Sequence, residues 1–484
     1  MSSGTRYLER IQDGRQVWLN GEVVKDIPRH PAFRGTVQTI ASVLDLQDDP
    51  VVGPQLMFET ETGVRANLAY LVPVNKEDII RRGRSFKIWS DATFGVMSRI
   101  AGYYRSQITG LYMNRHLIDQ EQPHYAERIE KYFNYVRDHD LLIASAGHDP
   151  QIDRSKPAHE LGDLYTAVRI VKETEEGIVV RGAKVLATGG AYLDEIMVVP
   201  NSRRTAAEKP YALLFIIAAN TPGVYQISRE SFASLDEEDH PLSSRYDEMD
   251  TVLVFDDAFI PWERVMVKED PDTLWRLRTD PVSSLYGQHE IIVRLASKLE
   301  FVLAVAVELA ESISITKFAH VQEKLAELAF QVESVKALWY AAEHRSVLHP
   351  LGVWLPGKEE LVAARNLGTK YYPRAIEILQ QLSGSGMLQA PSRLSDLSGP
   401  LGSHLQKYYR GADRGAEERA KLLKLAWDLV GSRLGARHEL YERFYSGDPA
   451  RTYAGQYVEY DKRELIDRSR AACIGSAGFR QADA

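Results

Sequence analysis

The chain has 484 residues, with 59 Lys and Arg against 67 Asp and Glu, a formal net charge of −8. That length fits about three domains, and 44% apolar with 26% charged residues is a globular composition that excludes disordered and fibrous classes. A single cysteine, Cys473, excludes an intrachain disulfide, a CxxC metal knuckle and a cysteine-ligated iron–sulfur cluster.

Met1 to Asp13 is polar and lacks the apolar stretch of a secretory leader, which predicts a cytoplasmic location. Val17 to Val24 flanks Asn20-Gly21, a pair that adopts positive φ at little cost and so predicts a tight hairpin. Asn75, with Asp78 three residues on, predicts an N-cap for a helix carrying Ile79, Ile80 and Phe86. A second helix is expected over 125–137, where Ile129, Tyr132, Phe133 and Val136 fall at helical spacing. Residues 1–143 therefore read as a mainly helical domain.

Over 144–275 the texture changes to short β-branched runs at 165–171, 177–180, 183–187, 195–199, 213–217 and 251–255, the pattern of a small barrel or sandwich. From 276 to 484 the chain reads as a helical bundle with a tail, its long helices at 289–318, 321–348, 358–383 and 414–434. In the last of these Leu422, Leu425, Ala426, Leu429 and Val430 form a bundle stripe, while 384–386 and 391–402 read as connections. The most apolar helix candidate carries Arg294, Lys298, Glu300 and Glu308, so its longest uncharged run, 301–307, falls far short of the roughly 18 residues of a membrane span. The absence of Lys/Arg runs gives no footprint for nucleic acid.

Motifs narrow the chemistry. A Rossmann site needs GxGxxG so that backbone amides approach a pyrophosphate, and Thr188-Gly189-Gly190-Ala191 has the wrong spacing. No GxxxxGK[ST] loop and no GxSxG elbow occur. His289-Glu290 and His438-Glu439 begin the zinc pattern HExxH, but Val293 and Glu442 stand where the second histidine belongs, so no metal is expected. A redox enzyme of this build would therefore have to hold its cofactor without a Rossmann fold.

Several segments then carry a resemblance. They are Gln12-Asp13-Gly14-Arg15 with His30-Pro31-Ala32-Phe33-Arg34; Ile152-Asp153-Arg154-Ser155-Lys156-Pro157; Val180 to Thr188; Pro241 to Glu248; Ile260-Pro261-Trp262-Glu263; and Leu423 to Trp427 through Arg437-His438-Glu439 to Tyr445-Ser446-Gly447. In this order the chain resembles the oxygenase component of two-component 4-hydroxyphenylacetate 3-monooxygenases and related phenol and chlorophenol hydroxylases. The resemblance implies an α+β, acyl-CoA dehydrogenase-like fold with an N-terminal helical domain, a central β-barrel or sandwich and a C-terminal four-helix bundle. It also implies a homo-oligomer, a tetramer in preference to a dimer. The cofactor implied is FAD, in preference to FMN, supplied as FADH2 by a separate flavin reductase, with O2 as cosubstrate. A C4a-hydroperoxyflavin then transfers oxygen to an aromatic, phenolic ring. The iron–sulfur relative, 4-hydroxybutyryl-CoA dehydratase, uses cysteine ligands that one cysteine cannot supply.

The family's substrate-activating set is an Arg, a Tyr four residues later and a His before the IDRxKP motif. Arg99 and Tyr103 match the first two, and the resemblance implies that they favour the phenolate of a phenol whose pKa is about 10 and of which on the order of 0.1% is ionised at pH 7. Read without the family, they are an i, i+4 surface pair. The family's Gly-Arg-Thr-Pro-Asp-Tyr is here Ser98-Arg99-Ile100-Ala101-Gly102-Tyr103, which exchanges a stiff turn for a permissive one. The His position is Ser145, a residue that hydrogen-bonds but does not titrate near neutrality. His148 lies three residues on, on the opposite strand face unless a turn at Gly147 redirects it, so either Ser145 or His148 replaces the family His. The loss points to a changed substrate, an amine, a heteroaromatic or a carrier-tethered aryl group, or to a non-catalytic scaffold.

For the flavin the resemblance implies Ser145, Ala146, Gly147, Gln151, Ile152, Asp153, Arg154, Thr188, Ser446, Gly447 and Asp448. Of these, Ser145 also reads as a backbone cap and Arg154 as a structural salt-bridge residue. Arg203-Arg204 reads as a solvated charge pair or a gate over the substrate, and Trp262 and Trp427 read as core.

Overall fold

The computed structural model describes residues 1–98, 100 and 102–474. Its first elements follow local sequence closely. Helix α1 (Ser3–Arg10) precedes strands β1 (Gln16–Leu19) and β2 (Glu22–Val23), which are closed by Asn20 and Gly21 at φ +54° and +83°. After α2 (Arg34–Asp45), α3 (Lys76–Asp91) starts where Asn75 accepts the Asp78 amide at 2.9 Å. Helix α4 (Tyr103–Met113) follows, and α5 (Tyr125–Asp138) buries Ile129, Tyr132, Phe133 and Val136.

The β region is two packed sheets. Strands β3 (Ile143–Ala146), β4 (Arg169–Glu173), β5 (Gly177–Thr188), β6 (Glu195–Val198), β7 (Leu214–Ala218), β8 (Val224–Ser228), β9 (Asp250–Pro261) and β10 (Val265–Val267) join the N-terminal hairpin. One sheet has six strands in the order β2-β1-β8-β9-β5-β4; the other has four, β10-β7-β6-β3. Phe215 and Phe255 meet edge to face between them, centroids 5.8 Å apart, so the arrangement is a sandwich. Three sequence runs are corrected. The runs at 177–180 and 183–187 are one strand, because the ladder passes through Gly182, paired with Phe255. The run at 251–255 is only the first half of β9: a register shift between Phe255 and Ala258 exposes Asp256 and Asp257 and breaks the alternation. The run at 165–171 starts late, at Arg169.

The helical part comprises α6 (Pro271–Thr279), α7 (Pro281–Ser312), α8 (Ala319–His344), α9 (Lys358–Ser383), α10 (Ala416–Val430), α11 (Arg433–Phe444) and α12 (Pro449–Glu459). Helix α7 begins eight residues before its apolar stripe, because Asp280 caps Pro281 by accepting the Val282 amide at 2.8 Å. It buries Ile292, Leu295, Leu299, Val302 and Ala306 against α9, whose Leu361, Tyr372, Ile376 and Leu379 are buried in turn. Sandwich and bundle share one continuous apolar core. Trp427, expected in the core, is 38% exposed and lies over Gly431, while Trp262 donates to the Thr174 carbonyl at 3.1 Å from a half-buried position.

Candidate active site

The segment before α4 is pinned at both ends. The Ser98 amide and hydroxyl donate to the buried Glu248 carboxylate at 2.8 and 2.7 Å. A Cβ at position 102 would stand 2.7 Å from Glu290 Cγ and 2.8 Å from the Phe86 ring, so close approach demands glycine there. The turn expected to be permissive is thus held by its neighbours. Arg99 itself lies outside the described residues, as does Ala101. Tyr103 opens α4, half-buried, with its ring over Gly287 of α7 and its hydroxyl accepting from Gln107 Nε2 at 2.9 Å.

Ser145 is the least buried position of β3, and its backbone pairs in parallel with Met197. At Gly147 the chain changes sheets. Asn201 presses its side chain to 2.3 Å from where a Cβ at 147 would be, and the next residue, His148, pairs with Val185 of β5 instead of β6. Strand alternation therefore stops governing His148. Opposite it, β5 bulges: Val185 and Leu186 together face Val252, and Leu186 is held at φ +67° with its side chain 57% exposed.

His148 is exposed, yet desolvation, then the positive charges of Arg278 and Lys184, hold its imidazole below the usual histidine range. Arg451 adds to this effect, and Asp149 opposes it. Arg278, from the last turn of α6, behaves alike. It is open to solvent, but desolvation lowers its guanidinium, partly offset by Tyr103 and Tyr104 and reinforced by Arg451. The candidate cleft is where these charges act on one another, at the ends of β3, α4, α6 and α12, and it is positive, because Asp149 is already shared by Lys184, at 2.7 Å, and Arg204.

Thr188 is buried, and its hydroxyl donates to Asp250 at 2.6 Å; Asp250 in turn takes two 2.8 Å bonds from Arg437 and one of 3.1 Å from Arg229. Those cations hold the Asp250 carboxyl down at about 2 against its desolvation. Gln151 and Ile152 are exposed, and Asp153 turns the chain by accepting the Ser155 amide and hydroxyl at 3.0 and 2.6 Å. Arg154 is exposed and makes no ion pair with a described residue, so it is not the salt-bridge residue it resembled. Ser446 Oγ is buried without a hydrogen-bond partner, Gly447 sits at φ +101° under the Arg451 guanidinium, and Asp448 caps α12 through the Ala450 amide at 2.8 Å. Arg204 is corrected: far from solvated, it is buried between Asp149 and Glu208, whereas Arg203 is exposed and meets Asp272 at 3.3 Å.

Sequence reasoning missed Arg278 and Arg451, which carry no local signal. It also passed over a buried network that did leave one. Arg294 and Lys298, i and i+4 on α7, face His438 and Glu442, i and i+4 on α11. His289, the other rejected zinc histidine, pairs with Glu343 at 3.0 Å.

Comparison with known proteins accounts for this architecture. Family models described as 4-hydroxyphenylacetate 3-hydroxylase, N terminal and C terminal, match residues 3–267 and 282–473. The 4-hydroxyphenylacetate 3-monooxygenase oxygenase component of Thermus thermophilus is 38% identical over 471 residues, 97% of this chain and 96% of that protein. A crystal structure of such an oxygenase component, complexed with FAD and 4-hydroxyphenylacetate, superposes with a TM-score of 0.93 at 38% identity, covering 97% of this chain and 98% of that one. A 4-hydroxybutyryl-CoA dehydratase from N. maritimus shares the fold at a TM-score of 0.87 and 21% identity, over 100% of this chain and 97% of that one. The fold is thus the α+β, acyl-CoA dehydrogenase-like one, with a β sandwich between helical parts. Within it, the chain belongs to the 4-hydroxyphenylacetate 3-hydroxylase family.

Proposed function

We propose that this protein is the oxygenase component of a two-component, FADH2-dependent monooxygenase that hydroxylates a phenolic ring. The observation that carries the reading is the match along nearly the whole chain to an oxygenase component solved with FAD and its phenol. When bound, reduced FAD supplies two electrons and activates O2, so that one oxygen atom enters the ring and the other leaves as water.

The residues present suit that cofactor. Arg154 and Arg451 are guanidiniums without counter-ions among the described residues, the donor type a diphosphate requires. The unpartnered Ser446 hydroxyl and the positive φ of Gly447 mark a segment that approaches a ligand closely. Asp448 acts mainly by fixing the start of α12. Backbone groups of Ser145, Ala146, Gly147 and of Gln151, Ile152 and Asp153 hold the flavin. Thr188, its proton committed to Asp250, offers the flavin only an accepting lone pair.

Arg99 and Tyr103 hold the phenolic oxygen. With its oxygen accepting from Gln107, Tyr103 is oriented to donate its O–H, and Arg99 favours the phenolate that enriches the ring in electron density. Ser145 faces the flavin edge, while His148, beyond the sheet change, lines the substrate side and is neutral at pH 7. The three-part division at 143 and 275 sets flavin between sandwich and bundle. No helix among the described residues is long and apolar enough to cross a membrane; the protein works in the cytoplasm as a homotetramer, beside a separate reductase.

The test is a screen of simple phenols and arylamines with a generic flavin reductase, detecting added oxygen by mass. The expected result is a catechol from a phenol. Conversion of all the O2 to hydrogen peroxide with every phenol, or failure to bind FAD, overturns the reading. Arg99→Ala is expected to abolish coupling of oxygen uptake to product while FAD affinity stays within about threefold; an unchanged product yield retires that role.

A further inference from the structure

Between α3 and α4 the described residues of 92–102 form no helix or strand, and this segment leads through Arg99 into Tyr103. A loop is precise only where other elements hold its backbone. Phe94 and Gly95 turn at φ +55° and +64°, and the Gly95 carbonyl accepts from Arg294 of α7 at 3.0 Å. Closest to Arg99 in sequence, the Ser98 amide and hydroxyl both end on Glu248, 150 residues away, at 2.8 and 2.7 Å. Glu248 is 1% exposed. Burying a carboxylate is costly, but its charge strengthens both bonds to Ser98. Its own backbone is held on each side. The Glu248 carbonyl accepts from Arg229 at 2.9 Å, and the Met249 amide donates to the Tyr192 hydroxyl at 3.1 Å. The next groups along grip the end of β5: the Met249 carbonyl accepts from the Gly189 amide at 2.8 Å, and Asp250 from the Thr188 hydroxyl at 2.6 Å. The stretch 248–250 therefore holds the Arg99 segment on one side and Thr188 on the other.

We propose that Glu248 is a positioning residue for oxygen transfer, acting through Ser98 to fix Arg99 relative to Thr188 and so to the flavin. The proposal rests on the reading of Arg99 as the group at the phenolic oxygen and of Thr188 as a flavin neighbour. Oxygen transfer needs ring and flavin at one separation and one angle, and an error of about 1 Å costs up to about 100-fold in rate. Substrate residues on a loop and cofactor residues on a strand keep that geometry only if both are tied to one rigid reference. Glu248 and Asp250, at the entry to β9, provide it: Asp250 serves the flavin side and Glu248 the substrate side.

The experiment uses the full-length protein with FADH2 regenerated by a flavin reductase, and 4-hydroxyphenylacetate and unsubstituted phenol as probes. Glu248→Ala is expected to lower product per O2 consumed by roughly 10- to 100-fold, with FAD affinity within about threefold of wild type. Glu248→Gln, which returns an acceptor to the Ser98 amide, should recover part of the loss. Ser98→Ala, which removes the hydroxyl bond and keeps the amide bond, should lower the yield by roughly 3- to 10-fold, and it decides the matter if Glu248→Ala does not fold. Two further readouts separate positioning from support of the fold. The ultraviolet difference spectrum of the phenol bound to the oxidised FAD complex should show less phenolate in both alanine variants. Glu248→Ala should also weaken phenol binding in the wild type but not in Arg99→Ala, because it acts through Arg99. An unchanged yield in both alanine variants overturns the proposal. So does lost stability or FAD affinity with an unshifted phenolate spectrum, and so does a binding loss that persists in full without Arg99. If the wild type hydroxylates no phenol at all, the functional reading falls and this assignment falls with it.

Discussion

Two groups of charges, one buried and one open to solvent, treat their cations in opposite ways. Midway along α7, Arg294 gives Glu442 two bonds of 2.7 and 3.1 Å and a third to the Gly95 carbonyl, while Lys298 reaches the same Glu442 and His438 Nδ1 at 3.0 and 3.1 Å. The face of Tyr372 lies 4.4 Å from the Lys298 ammonium. Two cations thus share one carboxylate, and a neutral imidazole, a carbonyl and a ring supply the rest. In the cleft, Arg278 and Arg451 have no hydrogen-bond or ion-pair partner among the described residues. The same residue types serve packing where the chain completes their hydrogen bonds and binding where it leaves them open.

The sharpest way to break that contrast is Glu442→Gln, which strands two fully buried cations. We expect a loss of about 3–5 kcal/mol of unfolding free energy, measured by urea denaturation. A loss under about 1 kcal/mol would mean the core network is no more closed than the cleft. The same carboxylate sets an acid limit. Arg294 and Lys298 outweigh its desolvation and hold Glu442 down at about 2, as Arg437 and Arg229 do for Asp250. Between about pH 4.5 and 2 the unfolded chain therefore binds protons that the folded chain refuses, so stability present above pH 4.5 is lost as the pH falls. Glu442→Gln should flatten that slope over the same range. An unaltered slope assigns acid sensitivity elsewhere.

Asp250→Asn is the intermediate case, since Asp250 joins Arg437 and Arg229 to Thr188 at the edge of the cleft. A loss of about 2 kcal/mol is expected, together with weaker FAD binding as Thr188 is released. Weaker binding without destabilisation would place Asp250 with the open cations and not the closed ones.

Legibility divides along the same line. Elements set by neighbours in sequence were readable: the Asn20-Gly21 hairpin, the Asn75 cap and the 358–383 helix; the i, i+4 pairs of the core network left a signal that was passed over. Tyr103, Thr188 and Ser446 could be named as candidates because they sit inside recognisable motifs. What the sequence hid depends on long-range meetings. Gly147 gives no local hint that the chain there changes sheets, because the cause is Asn201. Likewise Tyr103, Arg278 and Arg451 come together from positions that share no helix or strand period.

The smallest effect is the most telling one. Removing a paired buried cation leaves its carboxylate without a partner, but removing Arg278 leaves nothing behind, since no described residue bonds to it. Arg278→Gln, a substitution at an exposed position, should therefore change the unfolding free energy by less than about 0.5 kcal/mol. Arg294→Gln should cost several times more, because it strips Glu442 of its bidentate partner. Urea denaturation of both variants separates the two kinds of charge. A substantial loss in the unliganded Arg278→Gln protein would show that the cleft, like the core, is held together by its own cations.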